Sequence, residues 1–361
     1  MRKSSLLAAA ALASAAVVLL AGCSSSGGGT PSESGAADAG RACVILPDSV
    51  SSNRWEDLDR KYLQEGLEAA GFEADVQNAQ GDKDKYATIA DGMLTKGCDV
   101  MLLVDYQGAG VTVAAKAKAA GIPVIAYDRP IAGADYYVSF DNEQVGALQG
   151  QMIVDGLNEN GVDPAKAVVV YIGGDPTDGN AKMFHDGADG VMAAAGIKPA
   201  AEPAGVWDGD KSAANFEQAL TSLDGKVDAV WAANDTNAAG VITILDKNGL
   251  AGKVPVSGQD GEQPALNRVA LGTQTVDVWK DSRLLGKAAG EAAIQLCSNP
   301  DITKVSGVAP FTTPGGNSLS TVQLQPNPIT QDNLKPVLDA GWADKATLCK
   351  GVDAAKVKDC A

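Results

Sequence analysis

The stretch DVMLLVDYQGAGVTVAAKAKAAGIPVIAYD, residues 99–128, contains the unit from which the fold can be predicted. Two apolar runs, at 100–104 and 124–127, flank a segment that ends at Gly121. Runs that are apolar at consecutive positions are typical of parallel strands buried on both faces, and a glycine commonly follows the last turn of a helix. The stretch therefore predicts a strand, a helix and a second strand parallel to the first.

This unit recurs along the chain, and the recurrence predicts two lobes. Strands and helices alternate from Ala42 to Asp128, and a similar alternation runs from Ala167 to Asp260. Such an alternation forms a parallel sheet with helices on both faces, and two copies form two similar units. We therefore expect an α/β protein of two similar lobes, each a parallel sheet covered by helices on both faces.

The chain is expected to cross between the lobes more than once, which makes each lobe discontinuous and joins the two by a multi-strand hinge. The predicted N-terminal lobe contains 41–141 plus 276–312, and the predicted C-terminal lobe contains 142–275 plus 313–361.

The first 40 residues are predicted to export and tether the protein. Residues 1–23 begin with two basic residues, continue with an apolar run and end in Leu-Ala-Gly-Cys, which resembles a bacterial lipoprotein box. The apolar run is too short for a spanning helix, so it indicates a signal peptide with Cys23 as the lipidated residue. Residues 24–40 are rich in Ser, Gly and Ala, a composition typical of a flexible linker. We expect an extracytoplasmic protein that a lipid anchors to the cell membrane; an ordinary secretory signal is the alternative.

The composition argues against several classes of partner. The formal net charge of −16 would repel nucleic acid and anionic lipid surfaces. The single histidine, His185, lies in a predicted helix, and the cysteines lack the spacing of metal ligands. The glycines of YIGGDPTDGN stand beside two acids, which makes a poor phosphate cradle. We expect no metal, no cofactor and no nucleic-acid partner.

The remaining cysteines are expected to form disulfides, because an exported protein folds in an oxidising compartment. Cys43 and Cys98 both stand at the start of neighbouring predicted strands, so their pairing is the first hypothesis. Cys349 with Cys360 is the second, weaker one, and the partner of Cys297 stays open.

Polar residues follow the predicted strands where the ligand of such a sheet binds. Asp128 and Arg129 end a strand in the first half, and Asp260 ends the matching strand in the second. Asn234 and Asp235 end the strand before that one. Ligands of open parallel sheets bind beyond the carboxyl ends of the strands, so two facing lobes would present these side chains to one cleft.

A sugar fits this set of side chains. Carboxylates and amides exchange hydrogen bonds with hydroxyl groups, and a guanidinium donates in a fixed fork. Trp55 comes just after the first predicted strand, and Trp207 ends the second strand of the second half. An indole covers the apolar face of a pyranose.

Seven motifs in register strengthen this interpretation. In order they are SNRWEDLDR, AYDRP, YYVSFDNEQVGALQG, GGDPTDGNAKMF, VDAVWAANDTNAAG, VSGQDGE and GTQTVDVWKD. They resemble the type I periplasmic sugar-binding proteins of ABC transporters, in the pentose and hexose branch that includes D-xylose-binding proteins. The resemblance runs from about Cys43 to Trp342 and implies a periplasmic binding protein-like fold of type I. It also implies these ligand-binding residues: Arg54, Trp55, Asp128, Arg129, Asn180, Trp207, Asn234, Asp235, Asp260 and Lys280.

Structural roles are the alternatives for several of these residues. Asp128 with Arg129 could form a surface ion pair, and Asn234 and Asp260 could cap the helices that follow them. Trp55 could pack in the core, and Lys280 could be an exposed helix lysine.

The expected function is binding without turnover. The resemblance implies a monomer that captures a monosaccharide, D-xylose or a glucose-like sugar, by hinge closure and delivers it to an ABC permease and its ATPase. A sugar sensor docking on a membrane receptor is the alternative. A glycoside hydrolase is less consistent with the sequence, because the acids stand beside Arg129, Lys280 and amides that would keep them ionised.

Overall fold

The computed structural model describes residues 40–298 and 308–361. The predicted signal peptide with Cys23, and the predicted linker up to residue 39, lie outside the described residues. Within those residues, no helix combines the length and the apolar composition that crossing a membrane requires.

The strands are β1 (Gly40–Leu46), β2 (Phe72–Asn78), β3 (Val100–Leu103), β4 (Val124–Tyr127), β5 (Tyr136–Phe140), β6 (Val169–Ile172), β7 (Pro199–Ala201), β8 (Ala229–Ala232), β9 (Asp277–Trp279), β10 (Ala309–Thr312), β11 (Ser318–Leu324) and β12 (Asn327–Ile329). The helices are α1 (Arg60–Ala69), α2 (Lys83–Lys96), α3 (Ala109–Ala119), α4 (Asn142–Glu159), α5 (Gly179–Ala194), α6 (Gly209–Ser222), α7 (Asp235–Lys247), α8 (Gln263–Leu271), α9 (Ser282–Ser298), α10 (Lys335–Asp339) and α11 (Lys345–Leu348).

The first lobe is built on a seven-stranded sheet in the order β10-β11-β5-β4-β3-β1-β2. All neighbours are parallel except the hairpin of β10 and β11. One face packs a core around Leu63 and Leu285, and the other packs a core around Tyr86 and Val113. The sheet is therefore covered on both faces, as the apolar runs of the sequence predict.

The second lobe contains the parallel sheet β7-β6-β8 and the antiparallel pair β9 and β12. Single bridges from Val230 to Val256 and from Gln259 to Val278 extend the parallel arrangement. The sequence pattern predicts a strand over the whole of 197–207 and of 253–260, whereas the structure has only Pro199–Ala201 in the first segment and single bridges at Val256 and Gln259 in the second. Residues 202–207 instead follow β7 as a loop.

Glycines let two helix pairs pack backbone against backbone. A Cβ on Gly66 of α1 would lie 2.3 Å from the carbonyl oxygen of Gly286 in α9. In the second lobe, a Cβ on Gly146 of α4 would lie 2.0 Å from the carbonyl oxygen of Phe184 in α5. The Ala-rich and Gly-rich segment of α9 is therefore a packing face.

The lobe boundaries differ from the predicted ones. The boundary predicted after residue 312 falls in the turn between β10 and β11, and β11 pairs with β5 up to Leu324. Conversely, β9 pairs with β12, so residues 277–279 belong with the second lobe. Strand pairing between distant segments decides these positions, and the sequence pattern of a short strand does not show which sheet it joins.

Within residues 40–298 and 308–361, two disulfides are present, at the two predicted pairs. Cys43 and Cys98 are joined in the core of the first lobe, with their Cα atoms 5.9 Å apart. Cys349 and Cys360 join the C-terminal segment to itself, with their Cα atoms 5.5 Å apart.

We expect the Cys43→Ala, Cys98→Ala double variant to lose about 2 to 4 kcal/mol of unfolding free energy, because the bridge closes a loop of 55 residues and lies in the core. The Cys349→Ala, Cys360→Ala variant is the matched control, since its loop spans 11 residues and constrains the unfolded chain less. Urea unfolding measures both. An equal or larger loss in the control would contradict this expectation.

Candidate functional site

A cavity between the two lobes lies at the carboxyl ends of their strands, where the sequence predicts the ligand. Its empty volume is about 260 Å³. Nine of the ten predicted ligand-binding residues line it: Arg54, Trp55, Asp128, Arg129, Asn180, Trp207, Asn234, Asp260 and Lys280. It is also lined by residues that were not predicted: Ser51, Ser52, Asp178, Phe184 and Gln259. We call this space the inner cavity.

Asp128 and Asp260 occupy matching positions in the two lobes. Asp128 follows β4, and its backbone N–H donates to the carbonyl oxygen of Val138 at 2.9 Å. The N–H of Asp260 donates to the carbonyl oxygen of Val278 at 3.2 Å. Both aspartates have positive φ angles, 62° and 120°, which non-glycine residues rarely adopt. Such strain is typical of functional sites, and here it occurs where each strand turns its carboxylate into the cavity.

Arg54 connects these carboxylates. Its side chain is 1% exposed, with Nη2 2.6 Å from Asp128 Oδ2 and Nη1 3.5 Å from Asp260 Oδ1. Nε lies 2.8 Å from Asp59 Oδ2. Lys280 adds a second cation, with Nζ 2.9 Å from Asp260 Oδ1 and 3.7 Å from Asp128 Oδ2. A buried charge is tolerated only when it is paired, and each of these charges has partners.

The pairing fixes the protonation of Asp128. Burial alone would raise the pKa of its carboxyl, but Arg54 and Lys280 hold that pKa well below its usual range. Asp128 is therefore an ionised hydrogen-bond acceptor at neutral pH. Burial raises the pKa of Asp59 to about 6 against the opposing effect of Arg54, and the Tyr127 hydroxyl donates to Asp59 at 2.6 Å.

Arg129 makes the second ion pair between the lobes. Its Nε lies 2.9 Å from Asp178 Oδ2, and it also donates to the carbonyl oxygen of Asp105 and to Ser51 Oγ. Burial raises the pKa of the Asp178 carboxyl, while Arg129 opposes this effect. Asp178 was visible in the sequence only as one of two acids in DPTDGN. Its role depends on Arg129, which belongs to the other lobe.

Asn180 extends this set of contacts between the lobes. Its Nδ2 donates to Asp128 Oδ1 at 3.1 Å and to the Asp128 carbonyl at 3.0 Å. Its Oδ1 accepts from Asn142 at 3.1 Å and from the Tyr137 hydroxyl at 3.4 Å. These partners fix the amide orientation, with its NH₂ group toward Asp128.

Aromatic rings contribute the apolar surface of the inner cavity. The guanidinium carbon of Arg54 lies 4.5 Å from the ring centroid of Trp55, and that of Arg129 lies 5.3 Å from it. Trp207 is half-buried, packs over Gly174 and donates to Asp178 Oδ2 at 3.1 Å. Phe184 lies beneath Lys280 with 5.3 Å between Nζ and the ring centroid.

The side chains of Asn234 and Asp235 have different surroundings although the two residues are adjacent. Asn234 caps α7 through Oδ1 and donates to the Ser51 carbonyl of the other lobe at 2.9 Å, so capping and cleft contact coexist. Asp235 does not line the inner cavity. Its carboxylate accepts from the N–H of Glu262 at 3.1 Å and from Gln274 Nε2 at 2.8 Å. Consecutive residues at a helix start point in different directions, which corrects the prediction for Asp235.

The residues from Cys43 to 301 match the model of a known family, the periplasmic binding protein domain. The chain belongs to this family. The D-xylose-binding periplasmic protein of Escherichia coli strain K12 is 36% identical over 262 residues, covering 69% of this chain and 76% of that protein. The multiple sugar-binding periplasmic receptor ChvE of Rhizobium radiobacter is 31% identical over 339 residues, covering 87% of this chain and 94% of that protein.

The solved structures agree on the fold. An ABC transporter solute binding protein from Clostridium phytofermentans, with bound β-D-glucose, superposes with a TM-score of 0.74 at 26% identity. The superposition covers 85% of this chain and 99% of that one. The fold is thus that of the type I periplasmic binding proteins, as predicted.

The periplasmic binding protein also contains a buried acidic group behind the inner cavity, which the sequence analysis did not identify. Asp235 and Asp277 are fully buried, and Glu262 is nearly so. Burial raises the pKa of Asp277 to about 7, with Asp260 and Glu262 adding to the effect. Burial and the charge of Asp277 also raise the pKa of Asp235. Both carboxyls therefore hold a proton to higher pH than an exposed aspartate does. Across residues 40–298 and 308–361, no group of His, Cys, Asp or Glu is arranged to hold a metal ion.

We expect Asp277→Asn to flatten the pH dependence of stability. The folded state holds a proton that the unfolded state releases above about pH 4, so wild-type stability falls as pH rises from about 4 to about 7. The variant replaces the protonated carboxyl by an amide and should lose less stability between pH 5 and pH 8. Melting temperatures at the two pH values measure this. Asp91→Asn, at an exposed ion pair, is the control, and its melting temperature should fall between the two pH values as that of the wild type does. An equal fall in the melting temperature of Asp277→Asn would contradict the expectation.

Proposed function

We propose that this protein binds a monosaccharide, D-xylose or a glucose-like sugar, in the inner cavity and delivers it to an ABC importer. The observation that carries the proposal is the pair of carboxylates, Asp128 from one lobe and Asp260 from the other, held by Arg54 and Lys280. The names of the related D-xylose-binding protein and of the glucose-bound structure support this choice of ligand.

The chemistry of a sugar matches what the inner cavity offers. Hydroxyl groups would donate to Asp128 and Asp260 and accept from Arg129 and Lys280. The indole rings would cover the apolar C–H surface of the pyranose. We propose these residues as the ligand contacts: Arg54, Trp55, Asp128, Arg129, Asn180, Trp207, Asn234, Asp260 and Lys280.

Hydrogen bonds between the lobes support capture by hinge closure. Ser52 Oγ donates to Glu262 Oε1 at 2.8 Å, and the N–H of Asn53 donates to the same oxygen at 3.0 Å. These contacts form only when the lobes meet. A sugar that bridges both lobes binds the closed state better, and it therefore shifts the population toward closure.

Binding without turnover follows from the state of the acids. Hydrolysis of a glycoside requires one protonated carboxyl to protonate the leaving group. Asp128 is ionised and fixed by Arg54, and Asp260 is ion-paired with Lys280, so neither is free to serve as the acid.

The sequence of the N-terminal segment supports the location that this function requires. The Leu-Ala-Gly-Cys box at residues 20–23 supports a lipid anchor at Cys23, and the composition of 24–40 supports a flexible tether. We propose that a monomer so anchored outside the cytoplasm presents its closed form to the permease of an importer.

Calorimetry with D-xylose, D-glucose, D-galactose, L-arabinose and D-ribose tests the proposal. We expect one of these sugars to bind with a stoichiometry of one. Asp128→Asn and Asp260→Asn each remove a charged hydrogen bond, which costs about 1.5 to 3 kcal/mol, or roughly 10-fold to 100-fold in Kd. Asp91→Asn, at the protein surface, should bind as the wild type does. Unchanged affinity in both cavity variants, at unchanged melting temperature, would refute the site.

A further inference from the structure

A second space adjoins the inner cavity and lies between the same two lobes. It has about 850 Å³ of empty volume, and Ser51, Arg129, Asp178 and Trp207 line both spaces. We call it the outer cleft. Its remaining walls include these residues: Gln80, Tyr106 and Gln107 of the first lobe, and Asp175, Asp208 and Lys211 of the second.

Backbone strain singles out the outer cleft together with the inner cavity. Gln80 and Gln107 have positive φ angles of 57° and 50°. Among the described residues, the non-glycine residues with positive φ are these two, the cavity aspartates Asp128 and Asp260, and one further residue, Asp224. Residues other than glycine rarely adopt this backbone conformation. It persists where the surrounding structure holds the residue in place, and such residues cluster at functional sites. Four of the five such residues line one continuous interlobe space.

The side chains of the outer cleft suit a neutral, hydroxylated ring. Tyr106 and Trp207 are half-buried and come from opposite lobes, so each can cover one face of a ring. Asp175 and Asp208 accept hydrogen bonds, and Lys211, whose Nζ lies 3.0 Å from Asp208 Oδ2, donates them. Carboxylates outnumber cations on these walls, which disfavours an anionic ligand.

The sizes of the two spaces point in the same direction. Ligand pockets commonly have volumes of about 300 to 1,000 Å³. The volume in which a water molecule can be centred is about 300 Å³ in the outer cleft, which reaches this range, and about 20 Å³ in the inner cavity. A ligand confined to the inner cavity would leave Tyr106, Gln80 and Gln107, which line only the outer cleft, without contact.

We propose that the outer cleft is a second sugar subsite, and that the ligand class of this protein includes disaccharides. One ring occupies the inner cavity, and the second ring occupies the outer cleft between Tyr106 and Trp207. The glycosidic linkage passes the four residues that line both spaces. This inference rests on the proposed function, because it presupposes a sugar in the inner cavity.

Calorimetry on the purified protein with matched pairs of sugars tests the proposal. The pairs are D-xylose with β-1,4-xylobiose, and D-glucose with cellobiose and with maltose. We expect at least one disaccharide to bind with a stoichiometry of one, to compete with its monosaccharide, and to bind about 10-fold or more tightly than it does.

Variants of the outer cleft distinguish binding of the second ring from binding of the first. Tyr106→Ala and Lys211→Ala should each raise the Kd of the disaccharide by about 10-fold and change the Kd of the monosaccharide by less than about twofold. Lys182→Ala is the matched control, because Lys182 is an exposed lysine of α5 that pairs with Asp186 of the same helix, as Lys211 pairs with Asp208. This control variant should leave the Kd of both ligands unchanged.

The outcomes distinguish this inference from the proposed function. Monosaccharide binding with no disaccharide binding would overturn the second subsite and leave the proposed function standing. Equal effects of Tyr106→Ala and Lys211→Ala on both ligands would also overturn it. Binding of none of the sugars tested would overturn both.

Discussion

The buried guanidinium of Arg54 is the constraint on which the arrangement of the two lobes depends. Its side chain is 1% exposed, and it contacts Asp59 and Asp128 of the first lobe and Asp260 of the second. Removing a charge from water is costly unless ionic partners replace the water. The carboxylate of Asp260 reaches Arg54 only when the lobes meet, so closure of the cleft and neutralisation of its charges occur together. Lys280 contributes to the same balance from the segment between the lobes.

The geometry around this charge cluster follows from the sheet architecture. Parallel strands end at one edge, and each lobe turns one strained aspartate from that edge toward Arg54. Asn180 then holds Asp128 from the opposite lobe, and Glu262 accepts hydrogen bonds from the loop that precedes Arg54. These contacts between the lobes fix the directions in which the polar groups accept and donate, so closure of the cleft orders the groups that surround a bound ligand.

The lobes and most of the inner cavity could be predicted from the sequence, because the signals for them are local. Apolar runs mark the strands, glycines mark the helix ends, and polar residues such as Asp128 and Asp260 directly follow the strands. The hairpin of β10 and β11 was divided between the lobes at residue 312 because the sequence does not show that β11 pairs with β5, which is distant along the chain. Asp235 illustrates a second limit: its neighbour Asn234 faces the cleft, and only the packing of α7 shows that Asp235 does not. The raised pKa values of Asp235 and Asp277 depend on burial, which no spacing of residues reveals.

A crystal structure of the protein with the sugar that binds it in solution tests the central claim most directly. Hydroxyl oxygens of one ring are expected within hydrogen-bonding distance of both Asp128 and Asp260, so that the two lobes hold the same molecule. A sugar that contacts only one of these carboxylates, or that lies outside the space joining them, would contradict this claim.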